Sequence, residues 1–197
     1  AQFEKDFGAA GPAVSLVNHA ETLDAAPLAT RATIEKTVMA VSGIMDPDED
    51  LLVMFLTSHG RQWDGFSLVL NGQDFGRLFS AQLGRILGAS RIRNRVVVVS
   101  ACYSGQFVPA LAEENTLLIT AAASDRASFG CTPTAEWTWF GQAYFRDALP
   151  KLRKFVPAFE EAKKLVESRE KKAGHKPSVP QIRVGDNIRA VLDEMGL

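Results

Sequence analysis

Residues 95–105 read RVVVVSACYSG: four consecutive valines, then a cysteine. A strand with one wet face alternates polar and apolar residues. A run of valines has no polar side, so residues 96–100 (VVVVS) describe a strand covered on both faces, as in a parallel sheet between helical layers. Cys102 stands just past the end of that run, within Ser100-Ala101-Cys102-Tyr103-Ser104-Gly105. A cysteine after such a run is by itself an ordinary small core residue. In open α/β sheets, however, functional groups gather at the carboxyl ends of the strands.

Two further apolar runs match the first, Leu51–Thr57 (LLVMFLT) and Thr116–Thr120 (TLLIT), with weaker ones at residues 13–17 (AVSLV) and Gln181–Val184 (QIRV). Residues 64–71 predict a small strand running into an Asn71-Gly72 turn. Helical spacing fills the gaps. Ile34, Val38, Val41 and Met45 share one face of residues 31–45 behind a Thr30 N-cap. Asp74 is expected to cap a second helix with Phe79, Leu83, Ile86 and Leu87 inward. An aromatic-rich helix over residues 138–149 is expected to stop before Pro150. A charged helix then starts around Pro157, with Phe159, Ala162 and Val166 inward and the charges of residues 160–172 as its solvated face. Strands alternating with helices predict a three-layer α/β domain spanning residues 1–197.

The composition bounds the function. The 197 residues are 46% hydrophobic and 23% charged, enough for a sizeable core without disulfides or metals. Twenty-two basic against 23 acidic residues leave no polybasic face for nucleic acid or membrane. Cys102 and Cys131 form no C-x-x-C unit, and His19, His59 and His175 are scattered, which argues against structural zinc. A Cys102–Cys131 disulfide is possible on paper. Cys131, after Phe129-Gly130, reads as structural, and His19 and His175 as surface residues.

LLVMFLT runs into Ser58-His59-Gly60, and VVVVS into Ala101-Cys102. The chain between them suffices for a small excursion and a crossover helix, so the two strands can lie side by side and parallel. His59 and Cys102 then emerge at the same sheet edge. An imidazole beside a thiol can take its proton and return it to a leaving amine. The N–H groups of Gly60 and Cys102 can face a developing oxyanion. Other thiol and hydroxyl chemistries fit less well. Val108 stands where a phosphatase loop needs Arg, Gly105 where a redox pair needs Cys, and neither a G-x-S-x-G elbow nor a phosphate-binding G-x-x-x-x-G-K-[ST] loop occurs.

In this order, an apolar strand into SHG, an apolar strand into SACYSG, then LLITAAASDRASFGC, WTWFGQAYFRDAL and PQIRVG, the chain resembles the legumain-like cysteine peptidases, family C13, of caspase-like fold. The resemblance covers nearly everything from Ala13 onward, and SDRASFGC is most similar to bacterial members. It implies Cys102 as nucleophile, His59 as acid/base, Gly60 and Cys102 as oxyanion-hole amides, and no metal or organic cofactor. It further implies hydrolysis of peptide or protein substrates through an acyl-thioester, after asparagine or sometimes aspartate. It favours an extracytoplasmic setting, such as a bacterial periplasm or envelope.

Two positions depart from the family. Ser100 replaces an acid that lines the legumain specificity pocket. Residues 1–12 show no signal for the central first strand of this fold, so the chain is expected to lack part of its natural N-terminus, with a homodimer as one way to supply the strand. Ser100, Ser124, Asp125, Glu136 and Trp137 are the expected substrate-binding residues. Asp125 beside Arg126 also reads as a loop salt bridge, and Trp137 and Trp139 as plain core. Two alternatives stay open: a catalytically silent caspase-like module that binds peptides or partners, and a transamidase sharing the same dyad.

Overall fold

The computed structural model describes residues 13–132 and 135–197; the expectation about residues 1–12 lies outside them. Strand β5 (Asn94–Ser100) is buried along its whole length. Its neighbours are β1 (Leu51–Thr57) on one side and β6 (Thr116–Thr120) on the other, both parallel to it. Strand β7 (Gln181–Val184) adds antiparallel to β6, giving the order β1-β5-β6-β7. This is the mixed, mostly parallel sheet that the apolar runs predict.

The four valines explain the layering. Side chains alternate along a strand, so Val96 and Val98 enter one core while Val97 and Val99 enter the other. The first core is closed by a helix we call α4 (residues 139–152), by α5 (Phe155–Ala173) and by α6 (Asp186–Glu194). The second is closed by α1 (Arg31–Ser42) and α2 (Ser80–Ala89), with Ile34, Val38, Leu83, Ile86 and Leu87 inward. A short helix, α3 (Val108–Leu111), follows β5. Burying a Leu or Val side chain stabilises by roughly 1.5–3 kcal/mol, so a polar residue at one of these valines would take a contact of that size from the layer it faces.

Between β1 and β5 the chain makes a second sheet, antiparallel, of β2 (Gly60–Arg61), β3 (Gly65–Leu70) and β4 (Gln73–Leu78). The turn at Asn71 (φ 48°) and Gly72 (φ 82°) holds two successive residues in the left-handed region, which suits Asn-Gly. This hairpin overturns Asp74 as a helix cap. Asp74 pairs within β4, and its carboxylate accepts the Gly76 N–H and binds Arg77. The helix begins six residues later behind Phe79, whose N–H donates to the Gln82 side chain. Phe79 is correspondingly exposed rather than inward.

Four other expectations shift. Residues 13–17 join no ladder among the described residues. Val17 N–H bonds to the Pro27 carbonyl and Asn18 clasps Ala29, so this stretch is a stapled loop. Helix α1 has its Thr30 capping box but ends at Ser42, before Gly43. Helix α4 runs through Pro150 to Leu152, because Gln142–Ala148 widens into a π-helix before the ring. Glu170, expected on the wet face of α5, is only 1% exposed and accepts the N–H of Ser178. The other residues of α5 behave as expected, with Glu160, Glu161, Lys164 and Glu167 exposed and Phe159, Ala162 and Val166 buried.

Candidate active site

The last residues of β1 and β5 are opposite one another, Thr57 against Ser100, and Ser58 N–H extends the ladder to the Ser100 carbonyl at 3.4 Å. His59 follows at once. Its carbonyl accepts the Ser67 N–H at 2.8 Å, while Ser58 Oγ donates to the Ser67 carbonyl at 2.8 Å. The His59 backbone is thus fixed where the two sheets meet. Gly60 packs on the other strand end: a Cβ built there would lie 2.0 Å from the Cys102 carbonyl oxygen. Only glycine admits this approach.

Beyond Cys102 the chain turns sharply. Tyr103 takes the left-handed conformation (φ 58°), which costs a non-glycine residue about 1 kcal/mol or more. The turn is fastened on both sides. Tyr103 N–H donates to the Arg126 carbonyl at 2.7 Å, and Gly105 N–H to the Ala122 carbonyl at 2.9 Å. Ser104 Oγ accepts the Ala122 N–H at 3.0 Å, and Gln106 Nε2 donates to the Arg61 carbonyl at 3.2 Å. A Cβ at Gly105 would sit 2.5 Å from the Ser124 nitrogen. These bonds hold the strained turn, and with it Cys102, against the segments after β6 and β1.

The half-buried Cys102 thiol bonds to Ser128. Its Sγ lies 3.3 Å from both the N–H and the carbonyl of that residue, and 3.8 Å from its hydroxyl. A protonated thiol donates to the carbonyl; a thiolate accepts from the N–H and hydroxyl. His59 Nε2 lies 3.8 Å from Cys131 Sγ in this resting arrangement. Cys131, read as structural, is therefore an exposed residue at the mouth of the site, and both cysteines are free. Packing around its thiol, and after that the nearby Cys102, push the Cys131 pKa up.

Ser100 lies buried beneath, its Oγ 2.9 Å from Thr138 Oγ1, and that threonine also caps α4 through the Gly141 N–H. Ser124, Asp125 and Glu136 are exposed, and Asp125 forms the loop ion pair with Arg126 at 3.4 Å. Trp137 is half-buried against the core. Trp139 N–H donates to the Phe129 carbonyl, and the Phe129 ring stacks on His175 at 4.1 Å. His175 is exposed as expected, yet it braces the loop that carries Ser128 and Cys131. Sequence reading missed both of those as neighbours of His59 and Cys102. Their signal was the return of SDRASFGC over the end of β6, which no local pattern aims. Among the described residues no group of His, Cys, Asp and Glu could hold a metal ion. The groove lined by Arg31, Met39, Phe75, Gln82 and Arg85 involves none of these residues.

A comparison with known proteins adds the lineage. The model of the Peptidase C13 family matches residues 31–190. No curated protein matches the chain. Among solved structures, the crystal structure of caspase-1 from Spodoptera frugiperda superposes with a TM-score of 0.58 at 16% identity, covering 93% of this chain and 75% of that one. At that identity the likeness speaks for the fold. The family match spans every strand of both sheets and carries His59 and Cys102, so this chain belongs to the peptidase C13 family, the legumain-like cysteine peptidases, built on a caspase-like fold.

Proposed function

We propose that this chain is a cysteine endopeptidase in which Cys102 is the nucleophile and His59 its acid/base. Cys102 Sγ adds to the peptide carbonyl as His59 takes the thiol proton. The N–H groups of Gly60 and Cys102 hold the oxyanion, and losing one such donor typically costs about 3 kcal/mol of transition-state stabilisation. The imidazolium then protonates the departing amine, leaving an acyl-thioester. Water, deprotonated by His59, attacks that thioester and releases the acid.

The observation that carries this reading is the contact between the two strand ends, with Gly60 against the Cys102 carbonyl. The His59 backbone is fixed, so turning its ring from Cys131 toward Cys102 would fall to its side chain. Such bonds commonly tighten only once substrate is bound. An extended peptide would lie along residues 136–138. Ser124, Asp125 and Trp137 would surround the side chain before the scissile bond, with Glu136 at the rim; Ser100, expected among them, is buried and supports this wall only through its bond to Thr138. The preference for asparagine or aspartate before the scissile bond is taken from the family, in which an acid stands where this chain has Ser100.

A peptide-library cleavage profile tests this, with Cys102→Ala and His59→Ala as controls. Cleavage that disappears in both variants, about 10³-fold or more, is the expected result. Unchanged cleavage by Cys102→Ala would sink the reading. Turnover only with an added amine acceptor would make the protein a transamidase. Peptide binding without turnover would make it a silent binding module.

A further inference from the structure

The loop after β6 brings a second thiol to the same rim. Ser128 bonds to Cys102 Sγ, and three residues later Cys131 Sγ lies 3.8 Å from His59 Nε2. His59 is joined to Gly60, which packs on the Cys102 carbonyl. Two thiols and one imidazole therefore share one small region. A structural cysteine would be buried and inert; this one is exposed and aimed at a base.

We propose that Cys102 and Cys131 form an oxidative modification site, in which a hydroperoxide oxidises Cys102 and Cys131 closes it into a reversible disulfide. The inference rests on the reading of Cys102 as a nucleophile. In the first step the Cys102 thiolate attacks the terminal peroxide oxygen. The O–O bond breaks, the departing oxygen takes a proton and leaves as an alcohol (as water when the oxidant is hydrogen peroxide), and Cys102 becomes a sulfenic acid. In the second step Cys131 sulfur attacks Cys102 sulfur. The S–O bond breaks, and the hydroxyl leaves as water with the proton that Cys131 gave up. Two thiols lose two electrons in total, and the peroxide gains them.

His59 supplies what the second step needs. Nε2, 3.8 Å from Cys131 Sγ, is placed to remove the proton of a thiol whose ionisation packing and the nearby Cys102 disfavour. The same imidazole can pass that proton to the departing hydroxyl. The approach to bonding geometry, with Cα atoms about 4.4–6.8 Å apart, falls on few residues. Phe129 is braced by Trp139 and His175, and Gly130 packs on Trp139, so the movement falls on Cys131 itself. The disulfide silences the nucleophile and shields it from irreversible over-oxidation, and a dithiol reductant restores it.

The test treats the protein with hydrogen peroxide and follows intact mass, peptide mapping and peptide cleavage together. The expected result is loss of two hydrogens, a Cys102–Cys131 linked peptide, and activity that vanishes and returns with dithiothreitol. Cys131→Ser should cleave peptides in reducing buffer. Under peroxide it should add two or three oxygens at Cys102 and stay inactive after reductant. His59→Ala should form the dimedone-trapped sulfenic acid more slowly, since His59 also deprotonates Cys102, and the sulfenic acid once formed should close to the disulfide more slowly than in the wild type. If the wild type accumulates over-oxidised Cys102 with Cys131 unlinked while cleaving peptides normally beforehand, this inference is wrong and the peptidase reading stands. If neither dimedone trapping nor peptide cleavage is seen in the folded protein, both fall.

Discussion

Gly60 and the carbonyl oxygen of Cys102 are in such close contact that a Cβ at position 60 would sit 2.0 Å from that oxygen. The obstacle is backbone, not the end of a flexible side chain, so it cannot step aside. Gly60→Ala must therefore push the ends of β1 and β5 apart. We expect a stability loss of about 1–3 kcal/mol, as for overpacking elsewhere. The displacement of His59 from Cys102 should cost about 10²-fold in kcat/KM. Urea melts and peptide turnover on the same sample separate the two effects.

Cys131 offers a titration with a fixed sign. Its pKa is raised by packing and by the nearby Cys102. Removing the second cause in Cys102→Ala should let Cys131 ionise at lower pH. The midpoint of its iodoacetamide labelling should then move down, while packing keeps it above an ordinary cysteine. An unmoved midpoint would mean that the two thiols do not interact.

Glu170 sits almost wholly buried, with Oε2 accepting the Ser178 N–H at 3.1 Å and Oε1 without a hydrogen-bond partner among the described residues. Ser178 Oγ is also buried and unpartnered. Glu170→Ala strands the Ser178 N–H and should cost about 1–3 kcal/mol. Glu170→Gln keeps the acceptor for that N–H and removes the buried charge, so its denaturation midpoint should match or exceed the wild type.

Tyr144 is buried, and its hydroxyl donates to the Phe155 carbonyl at 3.2 Å. Burial drives its phenol pKa far above the ordinary value. The folded protein thus holds the neutral form, whereas an unfolded tyrosine ionises near pH ~10. The contribution to stability is complete below that pH and is lost progressively as pH rises from there toward the folded-state value. One of the two tyrosines should develop phenolate absorbance only as the fold is lost. Tyr144→Phe should lower stability by about 1 kcal/mol at neutral pH and soften the alkaline transition.

What could be read without coordinates was what a single strand or helix decides for itself. Valines at 96–99 can be satisfied only by burial on both faces, and that alone calls for a parallel sheet between helices. Thr30 caps its own helix, and Asn71-Gly72 shapes its own turn, because those effects act within a few residues. Asp74 failed as a cap because cross-strand pairing after that turn outweighs a local helix signal. Residues 13–17 have strand character, but a strand exists only with a partner. Pro150 ends most helices, yet the π-helix ahead of it lets this one continue.

The same division runs through the site. The sequence by itself determined that His59 and Cys102 end two apolar strands, since strand ends follow from where the apolar runs stop. Parallel pairing in register, Thr57 against Ser100, is what brought those ends together. Only the tertiary structure decided that the loop after β6 folds back to set Ser128 against Cys102 and Cys131 against His59. Loop return is governed by distant contacts, here the stack of Phe129 on His175 and its bond to Trp139, and no short stretch of sequence encodes them.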